Sequence, residues 1–149
     1  MLKEKLFDDL KLAMKSADQE TVGVLRILLT AIKNKEIEKK TKNGGDGQLT
    51  DEEVIQVLMS DAKKHKESIE IFTKGDRKDL ADKEEKELAI IQKYLPKQLS
   101  EAEIEQIIDK VLREISAKDF GSVMKEVMRE LKGKADGKIV SSITQRKLK

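Results

Sequence analysis

The segment Lys132-Gly133-Lys134-Ala135-Asp136-Gly137-Lys138 sets three lysines and two glycines within seven residues. Glycine lets a backbone approach a ligand closely, and lysine supplies positive charge. The N-terminus of a following helix offers unpaired N–H groups to an anion. The chemistry expected is contact with a phosphate backbone; the alternative is a helix connector with solvating lysines. Lys125 and Arg129 precede the segment at helical spacing. The candidate RNA-contacting set is therefore Lys125, Arg129, Lys132, Gly133, Lys134 and Lys138. A P-loop is excluded, because both the Gly-Lys-Ser/Thr ending and the preceding strand are missing.

A second group is polar and sits among apolar residues. His65 is the only histidine and falls on or near the apolar face of a helix. It is either a proton shuttle or ligand, or a partly buried ring bonded to a neighbouring helix. Glu84 and Glu87 lie beside the apolar stripe of the next helix, so a His–carboxylate pair across the bundle is open to them. Arg26 either snorkels to the surface at a helix edge or pairs with Glu84 or Glu87 inside the bundle. Arg26, His65, Glu84 and Glu87 form the candidate structural polar network. No metal site and no cofactor are expected. The acidic runs Asp51-Glu52-Glu53 and Lys83-Glu84-Glu85-Lys86-Glu87 suit a helix N-terminus and a solvated helix face. Met124 and Met128, four apart, suit core packing.

Composition narrows the chemistry further. There are no cysteines, which removes disulfides, thiolate metal sites and thiol nucleophiles together. A Ser-His-Asp triad would have to use His65. The 149 residues carry 31 basic and 29 acidic side chains, so a histone-like binder is not expected. Residues 120–149 are nonetheless lopsided, with 8 basic against 3 acidic. The start lacks the apolar core of a signal peptide, and Ile27-Leu28-Leu29-Thr30-Ala31-Ile32 is far shorter than the roughly 20 residues that cross a bilayer. A cytoplasmic protein is the expectation, with no membrane and no DNA among its partners.

The elements that must position these residues read as helices throughout. Leu2, Leu6, Leu10 and Ala13 mark the first. Asp18 caps a second, with Val22, Leu25, Leu29, Ile32 and Glu36 on one face, dissolving in Thr41 to Gly47. Thr50-Asp51-Glu52-Glu53 is a capping box that starts a third helix, running to about Phe72. Asp76 is placed to cap a fourth, with Leu80, Leu88, Ile91 and Leu95 along one side. Pro96 is the expected domain boundary. Ser100-Glu101-Ala102-Glu103 is a second capping box, followed by a fifth helix. A sixth, with Val123, Val127 and Leu131, stops at Gly133, and Asp136 caps a last one. The expected fold is all-α: a four-helix domain over 1–96 and a three-helix domain over 97–149.

Longer strings carry a resemblance. Leu25-Arg26, Glu67-Ser68-Ile69-Glu70, Arg77-Lys78-Asp79-Leu80 and Tyr94-Leu95-Pro96-Lys97-Gln98-Leu99-Ser100 resemble the YqeY-like family of small bacterial cytosolic proteins over essentially the whole chain. Phe120-Gly121-Ser122-Val123-Met124-Lys125, Gly133-Lys134-Ala135-Asp136-Gly137-Lys138, Val140 and Leu148 resemble the tail domain of GatB, a subunit of the glutamine-dependent aminoacyl-tRNA amidotransferase. The chain departs from GatB by a longer spacer between these two strings and by Gly137 where proline is usual. The resemblance implies two helical bundles and a module that contacts tRNA or another structured RNA, with no catalytic site of its own. An adaptor for a protein partner, with no RNA role, is the alternative. Any carbon–nitrogen ligase activity with glutamine as amido donor would run through a partner subunit.

Overall fold

The computed structural model describes residues 1–149. Seven helices and no strands are present: α1 (Leu2–Lys15), α2 (Gln19–Asn43), α3 (Asp51–Lys74), α4 (Lys78–Gln92), α5 (Glu101–Glu114), α6 (Phe120–Leu131) and α7 (Gly137–Leu148). They divide into two compact units, Met1–Leu95 and Pro96–Lys149. The fold is all-α, with four helices in the first unit and three in the second.

Local sequence explains most helix starts. The Asp18 carboxylate accepts the Thr21 N–H at 3.2 Å. Thr50 and Glu53 make both halves of their capping box. Two starts differ from expectation. At Ser100 the hydroxyl accepts the Glu103 N–H but then donates to the Glu103 carboxylate, so the reciprocal bond to the Ser100 backbone is not made. Asp76 does not cap α4. It takes a positive φ of 58° in the reversal after Gly75, which moves the cap position to Arg77. The Arg77 side chain then pairs with Asp79 in the first turn.

In the first unit the core is built on α2. Leu25, Leu28 and Ile32 are fully enclosed, joined by Leu6, Leu58, Val54 and Ile91 from the other helices. The expected face of α2 omitted Val24 and Leu28. They are buried because α1, α3 and α4 all pack on this helix, so it hides more than one stripe. In the second unit, Ile104, Ile108, Val123, Val127, Leu131 and Val140 form a separate core.

Gly47 shows how closely the α2–α3 loop is laid down. Its φ is +74°, and a Cβ there would meet the Glu36 carbonyl oxygen at 2.6 Å and Lys40 Cβ at 3.0 Å. Gly44 has the same φ but open space around it. Gly47→Ala is expected to destabilise the protein by more than the roughly 1–2 kcal/mol of left-handed backbone strain, because the close contact adds to it. Gly23→Ala, at an exposed position of α2 with open space and no positive φ, should not lower the urea midpoint.

Tyr94, the only tyrosine, ties the end of the first unit to α1. Its hydroxyl donates to Asp9 Oδ2 at 2.6 Å, and Lys5 Nζ bonds the same oxygen and lies 5.6 Å from the ring centroid. Burial pushes the phenol far above its ordinary value, with the hydrogen bond to Asp9 and the Asp9 charge adding to the shift. The folded state thus favours the neutral phenol. That stability is complete below the unfolded phenol value of about 10 and declines as pH rises beyond it. Absorbance titration should therefore place the ionisation of Tyr94 well above pH 10. Between about pH 9 and 11 the wild type should lose more stability than Tyr94→Phe.

Candidate functional site

His65 sits on α3, and Glu84 and Glu87 on the facing side of α4. The Nδ1 atom is 2.5 Å from Glu84 Oε2 and 3.7 Å from Glu87 Oε2. Nε2 on the other side of the ring is 3.2 Å from Asp61 Oδ2, one helical turn back on α3. Both spacings are helical neighbours, four residues on α3 and three on α4, so each helix presents its pair on one face. The four side chains are 14–22% exposed, which makes this a half-sheltered cluster at the edge of the core. Asp61 Oδ2 is itself buried and makes no hydrogen bond. Asp61 was missed in the sequence. Its position four residues before His65 was the available signal.

The network thus joins His65, Glu84 and Glu87. Arg26 does not belong to it. Arg26 is exposed on α2, at the flank of the apolar stripe, and its head group stays in water. The imidazole meets three carboxyl groups, so it is the one nitrogen partner they share within the cluster. Removing it leaves carboxylates facing one another in a sheltered place. His65→Ala is expected to lower stability by about 1–3 kcal/mol, while Arg26→Ala should stay within about 0.5 kcal/mol. Thermal unfolding of the two variants checks the contrast.

The basic residues of the second unit are sorted by their neighbours. Arg146 and Lys147 on α7 pair with Glu105 and Asp109 on α5; Lys147 is sheltered by its pair, whereas Arg146 stays largely exposed. Lys125 and Arg129 lie four residues apart on the exposed side of α6, and Lys132 is exposed at its C-terminal cap. Arg129 pairs with Glu126 at 3.1 Å. Lys134 and Lys138 are exposed in the loop and in the first turn of α7.

Two parts of the phosphate-loop expectation fail. Gly133 is buried with φ +81°, and its carbonyl accepts the Gln98 amide at 2.9 Å. The Lys134 carbonyl accepts the Leu99 N–H at 2.9 Å. The backbone here is clamped to residues 98 and 99, so Gly133 serves a turn and cannot meet a phosphate. At the start of α7, Asp136 Oδ1 accepts the Lys138 N–H at 3.0 Å. Its carboxylate occupies the place where an anion was expected and repels one. What survives is a surface of lysine side chains.

A shallow groove of about 600 Å³ runs between α2 and α3, lined by Asn34, Lys35, Glu38, Gln56 and Ser60 among others. Its lining is mixed in charge, with Lys35 and Lys64 beside Glu38, Glu53 and Asp61. No helix is long and apolar enough to cross a membrane.

Residues 3–148 match the family described as Yqey-like protein. The chain is 38% identical over 109 residues to Altered inheritance of mitochondria protein 41, mitochondrial, of Lachancea thermotolerans, covering 72% of this chain and 56% of the relative. The protein of that name from Saccharomyces cerevisiae is 40% identical over 107 residues, covering 70% and 55%. An uncharacterized protein of Schizosaccharomyces pombe is 33% identical over 102 residues, covering 67% and 73%. The match spans about half the length of the first two relatives. Their mitochondrial designation overturns the cytoplasmic expectation. That expectation rested on a missing apolar run, which tests the secretory route alone, since mitochondrial address segments are amphipathic.

Proposed function

The chain belongs to the YqeY-like protein family, and we propose that its second unit is an RNA-contacting module that recognises the phosphate backbone of tRNA or another structured RNA. The observation that carries this reading is the exposed basic side of α6, where Lys125, Arg129 and Lys132 lead into Lys134 and Lys138. The resemblance of Phe120–Lys125 and Gly133–Lys138 to the GatB tail, read from the sequence, is in keeping with it. Contact is through long side chains at Coulomb range, with the helix N-terminus and Gly133 taking no part. With no tryptophan, three phenylalanines and one tyrosine, the chain has little with which to stack bases. Recognition by charge and shape follows, with weak sequence preference. Any amide-transfer chemistry would be supplied by a partner subunit.

Fluorescence anisotropy with bulk bacterial tRNA at about 50 and 200 mM salt tests this. Micromolar or weaker binding that loosens with salt is expected. Each lost phosphate contact removes roughly 0.7–0.9 from the slope of log K against log salt. Replacing Lys125, Lys134 and Lys138 together by alanine should therefore flatten the slope by about two units. Replacing the exposed Lys11, Lys15 and Lys33 of the first unit should leave it unchanged. No binding at low salt, or an unchanged slope in the Lys125 triple variant, would sink the reading and favour a protein partner.

A further inference from the structure

We infer that the His65 cluster is a binding site for one divalent first-row transition-metal ion, held by His65 Nδ1 and one oxygen each from Glu84 and Glu87. The three ligand atoms already lie within 4.8 Å of one another. In a tetrahedral site with bonds of about 2.0–2.2 Å, ligand atoms stand roughly 3.3–3.6 Å apart. Glu87 Oε2, at 3.7 Å from Nδ1, is just beyond that separation. Glu84 Oε2, at 2.5 Å, is closer. It reaches the same separation by a side-chain shift of about 1 Å, which a flexible glutamate makes without moving α4.

The opposite edge of the imidazole carries a second observation. A metal-ligating histidine almost always gives its other ring N–H to a carboxylate, carbonyl or water, which orients the ring and raises its basicity. Asp61 Oδ2 stands 3.2 Å from Nε2, is buried, and makes no hydrogen bond. It is an acceptor waiting on a small turn of the ring. Asp61 and His65 come from α3 and Glu84 and Glu87 from α4, so packing of two helices presets the arrangement before any ion arrives. Three carboxyl side chains crowd one imidazole, and a dication between Nδ1 and the two glutamates would sit at the point where their oxygens converge.

The donor set selects the class of ion. One imidazole nitrogen and two carboxylate oxygens, with no thiolate in the chain, suit Zn²⁺, Mn²⁺ or Fe²⁺. Three protein ligands leave a fourth position for water, and the remaining exposure of the four side chains gives water access to it. Nδ1 binds a metal through its lone pair, so affinity should fall as pH is lowered and protons compete for the ring.

Zinc is the probe, titrated into the full-length protein and followed by calorimetry and by NMR of the imidazole. His65 is the only histidine, so its two ring C–H signals identify themselves. One zinc per chain at micromolar Kd is expected, with both ring signals moving in step. Because His65→Ala also removes packing, the carboxamide variants carry the test, with helical content checked by circular dichroism. Glu84→Gln and Glu87→Gln should each weaken binding by about tenfold or more, and Asp61→Asn by roughly ten- to hundredfold. Glu38→Gln, outside the cluster, should leave it unchanged. Ring signals that stay still under excess zinc would overturn the proposal. So would zinc affinity that survives in the Glu84→Gln, Glu87→Gln double variant.

Discussion

Enclosure of α2 by α1, α3 and α4 is the constraint on which the first unit depends. The chain has slightly more charged residues than apolar ones, so each outer helix has one apolar stripe to hide. Only a helix buried on several sides can receive all three. Leu25, Leu28 and Ile32 do so without any solvent contact, and truncating such a residue typically removes about 2–5 kcal/mol. Gly47 belongs to the same economy of space. It lets the loop lie against the backbone of α2, so that Leu49 is buried and Thr50 stands where α3 must begin.

The polar cluster is a product of that packing. α3 and α4 form the most extensive helix pair in the protein, and Leu58, Ala62 and Ile91 are buried within the same core. His65 lies one turn beyond Ala62, and Glu84 and Glu87 precede Ile91 on the facing helix. Their meeting is set by core register, and the electrostatics follow from it. Three carboxylates and one imidazole are a poor choice for stability alone, since hydrophobic groups of similar volume often serve as well or better.

The second unit solves a different problem with fewer residues. Its core is small, and it adds ion pairs between α5 and α7 and a clamp from Gln98 and Leu99 onto the turn at Gly133. These contacts decide which cations are structural and which face water. Lys147 looks as available as Lys125 in the sequence, but Asp109 of α5 holds it against the bundle.

Helix number, helix type and most caps were legible, because the 3.6-residue apolar repeat and the Ser, Thr and Asp cap signals are local. Asp18, Thr50 and Asp136 could be assigned to their caps from neighbours within three residues. Asp76 could not, since a positive φ after Gly75 depends on how α4 must turn back along α3. The pairing of His65 was open in the sequence between Glu84 and Glu87, and Arg26, offered as a second partner for the same glutamates, is exposed on α2 instead. Asp61 was absent from that set. The buried second stripe of α2 was also unread, because its partners lie far along the chain. The sequence by itself determined an all-helical chain with a break near Pro96 and a basic final stretch. Tertiary structure alone decided which charges meet, because that is set by the register of helices across a core, to which no local spacing is sensitive.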